Sequence, residues 1–498
     1  MKYVSIAAGL LACPAALAAQ QPSAPTKPTV TAALSLADAI AVARDNNPTY
    51  RQAVNNGGPA AWGVRNAYSS LLIPTLTASG GMSYTGPGSQ TFLTQSFSQS
   101  VSTVSSFYDL GLSWQLSGTT LSQPGLAKAQ QHAADADIAG AQNVLITSVK
   151  QQYLTVLQAR AQAELAKKTL QRNEEFLKLA QARYSVGQAT LIDVRQAQVA
   201  RGQAEVGLLR AETQVSVEKL RLFEQMGVTP PVDVASVQLT DSFAVEAPTW
   251  NLGELLTMAE QQNPALKALR AREGAASWGV RAATASYGPA VSVSAGWSGF
   301  TQQFTNIDAI RRNEQLQLQE QLTACNETNQ IRLNAGLPAL DCSIYQWGSS
   351  YEQTLVSRNS VFPFHFTQQP FQARLTVTLP IFTNFAQELR VSQARTQRNN
   401  LDEQARARGL GVHTEVSQAF LTLQTAFRTV GLQDTNRAAA REQLQLATER
   451  YRVGSGTFFE LLDAQVAALR AESDYVNATY DYHKALAALE AAVGRSLR

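Results

Sequence analysis

From Leu126 to Tyr184 the chain runs 59 residues without a proline, and Gly140 is the only glycine among them. A helix of that length extends about 89 Å at 1.5 Å per residue. A compact domain cannot wrap such an element, so it must lie along other helices in a coiled-coil bundle. Apolar residues at three-to-four spacing supply the seam, among them Leu145, Val149, Tyr153, Val156, Leu165, Leu177 and Tyr184. The matching run later in the chain is Leu389 to Tyr451. Each run ends in a glycine turn, Ser185-Val186-Gly187 or Arg452-Val453-Gly454-Ser455-Gly456, where glycine supplies the left-handed backbone that stops a helix. Return helices are predicted over Leu191–Met226 and Phe459–Val493, stopping before Gly227 and Gly494.

The match between the two runs extends to most of the chain, which is written twice. At an offset of 216, Asn47-Pro48 falls on Asn263-Pro264, and Trp62-Gly63-Val64-Arg65 on Trp278-Gly279-Val280-Arg281. Pro74 falls on Pro289. At an offset of 267, Val149 falls on Val416, Tyr153 on Phe420, and Arg183-Tyr184-x-Val186-Gly187 on Arg450-Tyr451-x-Val453-Gly454. The growth of the offset from 215 at Pro74–Pro289 to 267 marks an insertion of 52 residues in the second copy, between about Phe300 and Phe371. Two copies so far apart read as a duplicated domain-sized unit: a first repeat over 34–230, a linker over 231–251 and a second repeat over 252–498.

Each copy begins with helix, starting at Ser35, where Ser35 followed by Asp38 reads as a cap. The helix breaks at Asn46-Asn47-Pro48, because proline biases the preceding residue out of the helical region. After Pro74 the period switches to two. Leu110, Leu112 and Trp114 alternate with Gly111, Ser113 and Gln115. Val291, Val293, Ala295 and Trp297 alternate with serines and glycine, and Leu375, Val377 and Leu379 with Arg374, Thr376 and Thr378. Strand pairs are expected over about 75–117 and 289–382, the second with an inserted loop over 300–370. Helical hairpins follow over about 124–227 and 386–494. Stretches of about 10 residues suit a tilted strand crossing a bilayer. Tyr84, Phe92, Phe107, Tyr108, Phe300, Phe304 and Phe371 crowd their ends, as an aromatic girdle would. A soluble sandwich with one wet face permits the same alternation. In lipid the strands must close into a barrel, and four strands per chain require several chains.

The opening MKYVSIAAGLLACPAALAAQ reads as a secretory signal over 1–18, followed by a flexible segment over 19–33. A rival reading acylates Cys13 after Leu10-Leu11-Ala12. In either case the chain leaves the cytoplasm, and Cys325 and Cys342 then invite a loop-stapling disulfide. The formal charge of +3 shows no dense basic patch, so no nucleic-acid partner is expected. His132, His365, His413 and His483 are scattered, so neither metal nor other cofactor is expected. Nucleotide-binding and nucleophile-elbow motifs are absent, which argues against an enzyme.

This order resembles the TolC-like outer-membrane efflux proteins over essentially the whole mature chain. The residues that carry the resemblance are the two Asn-Pro corners, Leu71-Leu72-Ile73-Pro74, Leu379-Pro380-Ile381-Phe382, and the hairpin Arg450-Tyr451-x-Val453-Gly454 through Glu460-Leu461-Leu462-Asp463-Ala464. The resemblance implies a homotrimer in the outer membrane of a Gram-negative bacterium. Its fold would be mainly α with a transmembrane β-barrel portion: twelve strands in lipid, continued by a periplasmic α-helical tunnel. Its partners would be a periplasmic adaptor (the membrane fusion protein), an inner-membrane transporter and outer-membrane lipid. It would serve tripartite efflux or type I secretion as a passive conduit.

The resemblance also assigns roles. Glu460 and Asp463, three apart on one helix face, match an acidic constriction that repeats around a threefold axis. Their plain alternative is two solvated acids favoured by the helix dipole. Asp193 and Tyr451 match a gating pair. The basic partner of that latch is missing, because its position is Gly456, and Arg195 or Arg452 are candidates to replace it. Val186, Gly187, Val453 and Gly454 match the tips that meet an adaptor, and also read as simple interhelical turns. A periplasmic coiled-coil adaptor or scaffold remains the rival function, though adaptors carry one helical hairpin and this chain has two. A stand-alone porin would want more strands.

Overall fold

The computed structural model describes residues 33–92, 95–99 and 102–497, with side chains described outside 89–101. The expected signal over 1–18, the rival acylation at Cys13 and the segment over 19–33 lie outside the described residues, except Ala33. So does the side chain of Phe92. Strand β1 (Ala33–Leu34) leads into helices α1 (Leu36–Asn46), α2 (Pro48–Asn55) and α3 (Gly57–Leu72). Strands β2 (Thr75–Thr85), β3 (Gly88–Phe92), β4 (Gln95–Gln99) and β5 (Thr103–Ser117) follow, then α4 (Gly118–Ser185) and α5 (Leu191–Met226). After β6 (Gln238–Leu239) come α6 (Leu252–Gln262), α7 (Pro264–Ala285) and β7 (Ala290–Phe304). The chain continues through α8 (Ile307–Asn334), α9 (Ser349–Arg358), β8 (Thr367–Gln368) and β9 (Gln372–Thr378), ending in α10 (Ala386–Val453) and α11 (Phe458–Val493). Among the described residues no helix is long and apolar enough to cross a membrane.

The long helices α4 and α10 each span 68 residues. Helix α4 starts earlier than Leu126. Pro124 lies inside it, near its N-terminal end, and removes one hydrogen bond without stopping the helix. Two compact units result: one from the described part of Met1–Ala60 with Gln130–Gly274 and Asn399–Arg498, the other from Ala61–Ala129 and Ala275–Arg398.

In the first unit the sequence repeat reappears as two matching cores. One buries Ala39, Ala43, Leu145, Val149, Tyr153, Val156, Leu222 and Met226. The other buries Leu255, Ala259, Val412, Val416, Phe420, Leu423, Leu489 and Val493, the same positions at the two sequence offsets. The Asn-Pro corners explain themselves here. Asn47 accepts a hydrogen bond from the Tyr50 amide at 3.0 Å and donates to the Gln225 carbonyl at 2.8 Å. Asn263 repeats both, accepting from Leu266 at 3.1 Å and donating to Ala492 at 2.8 Å. Each side chain therefore caps the helix that follows it and ties that helix to the last turn of a return helix. Gly227 (φ 73°) and Gly494 (φ 90°) end those return helices. A Cβ on Gly227 would lie 2.6 Å from the Asn46 carbonyl, and one on Gly494 2.7 Å from that of Gln262. Only glycine fits both the backbone and the gap. The small parallel pair β1–β6 closes the first core, with Asp241 accepting from the Tyr153 hydroxyl at 2.9 Å. Burial is the main reason the Tyr153 pKa is pushed up to about 12.

The second unit is an antiparallel sheet in the order β2-β5-β7-β9, with β8 also pairing β7. Its register puts whole rows of like chemistry on each face. Leu76–Leu112–Ala295–Ala373, Trp114–Val293–Leu375 and Leu116–Val291–Val377 run across one face. Thr75–Ser113–Ser294–Arg374 and Thr77–Gly111–Gly296–Gln372 run across the other. In a soluble sandwich the apolar face would be the buried one. Here Leu76, Met82, Tyr84, Trp297, Leu375 and Val377 are between 53% and 68% exposed. The strict period of two also corrects the expected aromatic girdle. Tyr84, Tyr108 and Phe371 share parity with the apolar rows, whereas Phe107, Phe300 and Phe304 fall on the polar face.

The stretch expected as an inserted loop over 300–370 is not a loop. Strand β7 continues to Phe304, and α8 and α9 fold the rest. Asn306 caps α8, accepting from Asp308 at 3.2 Å. Its inward stripe, Ile310, Glu314, Leu318, Leu322 and Cys325, is diluted by glutamines, which hid the helix from a reading of hydrophobic period. Cys325 and Cys342 form a disulfide.

Back in the first unit, a buried acid joins three helices. Glu472 of α11 accepts from Arg172 of α4 at 2.8 Å and from Arg441 of α10 at 3.0 Å. Burial raises its pKa, but the hydrogen bonds and charges of Arg172 and Arg441 together outweigh burial and hold the carboxyl below its usual range. A depressed folded-state pKa means stability that is complete above the ordinary glutamate value of 4.5 and is lost as pH falls through the depressed one. Thermal melting across pH 3–7 should therefore show Glu472→Gln destabilised at neutral pH by about 3 kcal/mol. The variant should also lose less stability than wild type as the solution is acidified. Parallel acid limbs for the two proteins would contradict this.

Candidate functional site at the hairpin turns

The turns between α4 and α5 and between α10 and α11 hold the residues expected at a pore constriction, a gate and an adaptor contact. Both turns are built alike. Gly187 (φ 76°) and Gly454 (φ 84°) take the left-handed conformation after the long helices. Thr190 and Thr457 then cap the return helices. Asp193 completes a capping box, its carboxylate accepting from the Thr190 amide at 2.8 Å. Glu460 occupies the equivalent position, and its amide donates to the Thr457 hydroxyl at 3.2 Å. Val186 and Val453 stand exposed at the turns.

The two turns differ in what the tyrosines do. Tyr184 is 47% exposed, whereas its counterpart Tyr451 is 3% exposed. Tyr184, expected among the apolar positions of its long helix, is thus exposed within the single chain. Tyr451 lies in a small core with Phe176, Ala180, Val194, Phe458 and Leu461. The Arg183 guanidinium sits over its ring, 4.5 Å from the centroid, and Phe458 meets it edge-on at 5.5 Å. Burial raises the Tyr451 pKa and the Asp193 charge adds to this, while Arg183 opposes both. The structure thus brings Asp193 and Tyr451 within electrostatic reach. Among the described residues the Tyr451 hydroxyl has no hydrogen-bond partner.

Arg195 and Arg452, the candidates for the missing basic group, are engaged elsewhere within the chain: Arg195 donates to Gln198 at 2.8 Å, and Arg452 pairs with Glu449 at 3.1 Å. The basic side chains that contact the turn residues are Arg183, on Tyr451, and Arg450, which reaches Glu460 at 3.5 Å. Gly456 has a steric reason to lack a side chain, since a Cβ there would meet Arg450 at 3.0 Å and Glu460 at 3.2 Å. The signal available in the sequence was the paired Arg-Tyr of both copies: Arg183 and Arg450 each precede a tyrosine at the end of a long helix. Asp463 is exposed and makes no ion pair or hydrogen bond among the described residues. Within one chain, Glu460 and Asp463 are therefore a paired and an unpaired acid one helical turn apart. Among the described residues no group of His, Cys, Asp or Glu is arranged to hold a metal.

An exposed apolar sheet face, built from strands of both repeats, with each strand pair followed by a long helical hairpin, defines a class of membrane protein that crosses lipid with strands. The pattern of the outer membrane efflux proteins matches residues 32–228 and 308–495. The chain belongs to that family. Among curated relatives, the outer membrane efflux protein BepC of Brucella suis biovar 1 (strain 1330) is 24% identical over 346 residues, spanning 68% of this chain and 62% of BepC. Among solved structures, the outer membrane protein VceC from Vibrio cholerae superposes with a TM-score of 0.66 at 18% identity, over 93% of this chain and 97% of that one. The open state of the MtrE outer membrane channel of Neisseria gonorrhoeae gives 0.65 at 19% identity, over 93% and 89%. At these identities the structural likeness establishes the fold.

The stacked pair makes a prediction. Arg183→Ala removes a cation–π contact and should cost about 1 kcal/mol. Tyr451→Phe deletes a hydroxyl that bonds to nothing described, and should leave stability unchanged or raise it by about 0.5 kcal/mol. Urea unfolding of both variants checks the contrast. A Tyr451→Phe loss as large as that of Arg183→Ala would show that the hydroxyl is bonded in the assembled protein.

Proposed function

We propose that three copies of this chain form a passive conduit through the outer membrane and periplasm, fed by an inner-membrane transporter through a periplasmic adaptor. The observation that carries the reading is the sheet. Its apolar face is exposed, and among the described residues β2 and β9 each have one unpaired ladder edge. An unpaired edge in lipid costs several kcal/mol per unsatisfied backbone group, so β9 of one copy must pair with β2 of the next. Three copies supply twelve strands, enough to close a barrel. The polar face, with Asp109, Arg374 and the serines and threonines, then lines water.

The chain is read as two repeats, 34–230 and 252–498, joined by 231–251, and each contributes one helical hairpin to a tunnel. The hairpin turns form the periplasmic mouth. Glu460 and Asp463 ring it with six carboxylates, which favours cations. Asp193 and Tyr451, with Arg183 stacked on the latter, hold the mouth closed, and Val186, Gly187, Val453 and Gly454 meet the adaptor. The chain itself carries no energy source on this reading, and the transporter supplies it.

Planar-bilayer recordings of purified trimers test the proposal. Wild type should conduct with a preference for cations, and Glu460→Ala/Asp463→Ala should lose much of that preference while still conducting. A pore with unchanged selectivity would remove the acidic ring. Folded trimers that never conduct would remove the conduit.

A further inference from the structure

The Trp-Gly-Val-Arg motif occurs once in each repeat, and the fold treats its two copies differently. In both, the arginine stacks on the tryptophan one turn before it. The Arg65 guanidinium lies 4.6 Å from the Trp62 centroid, and that of Arg281 4.7 Å from the centroid of Trp278. Trp278 of α7 is also packed against Gly125 of α4, where a Cβ would lie 2.5 Å from the indole. Two turns along, Gly118 of α4 meets Ala285 of α7 just as closely, so the two helices pass each other antiparallel. Trp62 of α3 has no such cover and is 65% exposed.

The order of the helices explains the difference. Lys128 of α4 sits over the Tyr68 ring of α3 at 5.4 Å, and Gln387 of α10 donates at 3.0 Å to the carbonyl of Ser286, just past α7. The helices therefore follow one another as α3, α4, α7 and α10, as the strands do in β2-β5-β7-β9. The α4–α7 contact is the place where the first repeat meets the second. At the ends of the row, α3 and α10 each lack that neighbour, and the parts they leave uncovered correspond. An offset of 216 sets Trp62 in the place of Trp278, and one of 267 sets Ser392 in the place of Gly125. Ala394 and Arg395 then follow Ser392 as Ala127 and Lys128 follow Gly125. Ser392 is exposed, and Leu389 one turn before it is 58% exposed.

We infer that Trp62 of one copy packs on Ser392 of the next, repeating between copies the seat that Trp278 takes on Gly125 within one chain. This rests on the trimeric conduit proposed above. Within the chain, α4 follows β5 and α7 precedes β7, so the pairing of β5 with β7 brings the two helices side by side. Between copies, α10 follows β9 and α3 precedes β2, so the pairing of β9 with the next β2 brings α10 beside the next α3. The contact is heterologous and closes after three copies. Serine adds the Cβ that Gly125 lacks, so Trp62 stands farther from its helix than Trp278 does. The seat covers the indole of Trp62 and the side chain of Leu389 together.

Cross-linking in the full-length protein tests the seat. The native cysteines are bonded to each other and leave no free thiol. Trp62→Cys/Ser392→Cys, treated with a short bis-maleimide in outer-membrane vesicles, should run largely as covalent dimers and trimers on a denaturing gel. Each single variant should run as monomer there. Ser392→Trp crowds the seat and should lower the temperature at which trimers come apart. If the double variant does not assemble, Arg65→Cys/Leu389→Cys replaces it, since the same register brings that pair together one turn along. Assembled trimers in which neither pair cross-links, or Ser392→Trp trimers as heat-stable as wild type, overturn the inference and leave the conduit standing. Wild-type protein that forms no trimer overturns both.

Discussion

Everything in the helical unit hangs on one joint, used twice: the last turn of a return helix pressed against an Asn-Pro corner. Gly227 and Gly494 allow backbone to approach within the space a methyl group would need. Asn47 and Asn263 convert that proximity into hydrogen bonds that cap one helix and anchor another. Since α5 and α11 are each fixed at this end, their register along α4 and α10 is set for their whole length. The matched cores lie beside the joints, and the hairpin turns hang at the opposite ends of the same helices. A loosened joint would therefore be felt as a shifted turn.

The two copies have then diverged within that shared frame. Phe223 packs in the first core, while its counterpart Glu490 is paired with Lys150 and accepts from the Leu497 amide at 3.0 Å, tying the end of the chain down. Tyr184 faces outward, and its counterpart Tyr451 is buried beneath Arg183. Duplication fixed the backbone, and substitution on that backbone gave the second turn its aromatic centre and its exposed acid. Two unlike turns can thus arise from a symmetric plan without any change of fold.

In the sheet the governing constraint is the reverse of ordinary folding. An apolar face left outward is stable only where the surroundings are themselves apolar, so the same rows of leucine and valine that would nucleate a soluble core commit this unit to lipid. The polar face must then look onto water. The insertion obeys the soluble rule instead, with Leu318 of α8 buried and an ion pair and a tyrosine hydrogen bond joining α8 to α9.

Much of this was legible in the sequence because it depends on local, periodic signals. The proline-free runs predicted the long helices, the glycines their ends, Ser35 with Asp38 the first cap, and alternation the strands. The repeat offset that matched Val149 with Val416 and Tyr153 with Phe420 reappears in the two cores. What the sequence could not decide involves partners far apart in the chain. Which residues meet in one row across the sheet, such as Leu76, Leu112, Ala295 and Ala373, depends on cross-strand register. That Arg183 rather than Arg195 or Arg452 sits on Tyr451 depends on the fold bringing helix ends together across more than 260 residues of chain. Helix α8 is hard to read from hydrophobic period because its inward stripe includes Glu314, whose partner Tyr351 is supplied only when α9 packs beside it. Periodicity is a property of neighbours in sequence, whereas a site is made by neighbours in space, and only the tertiary structure chooses those.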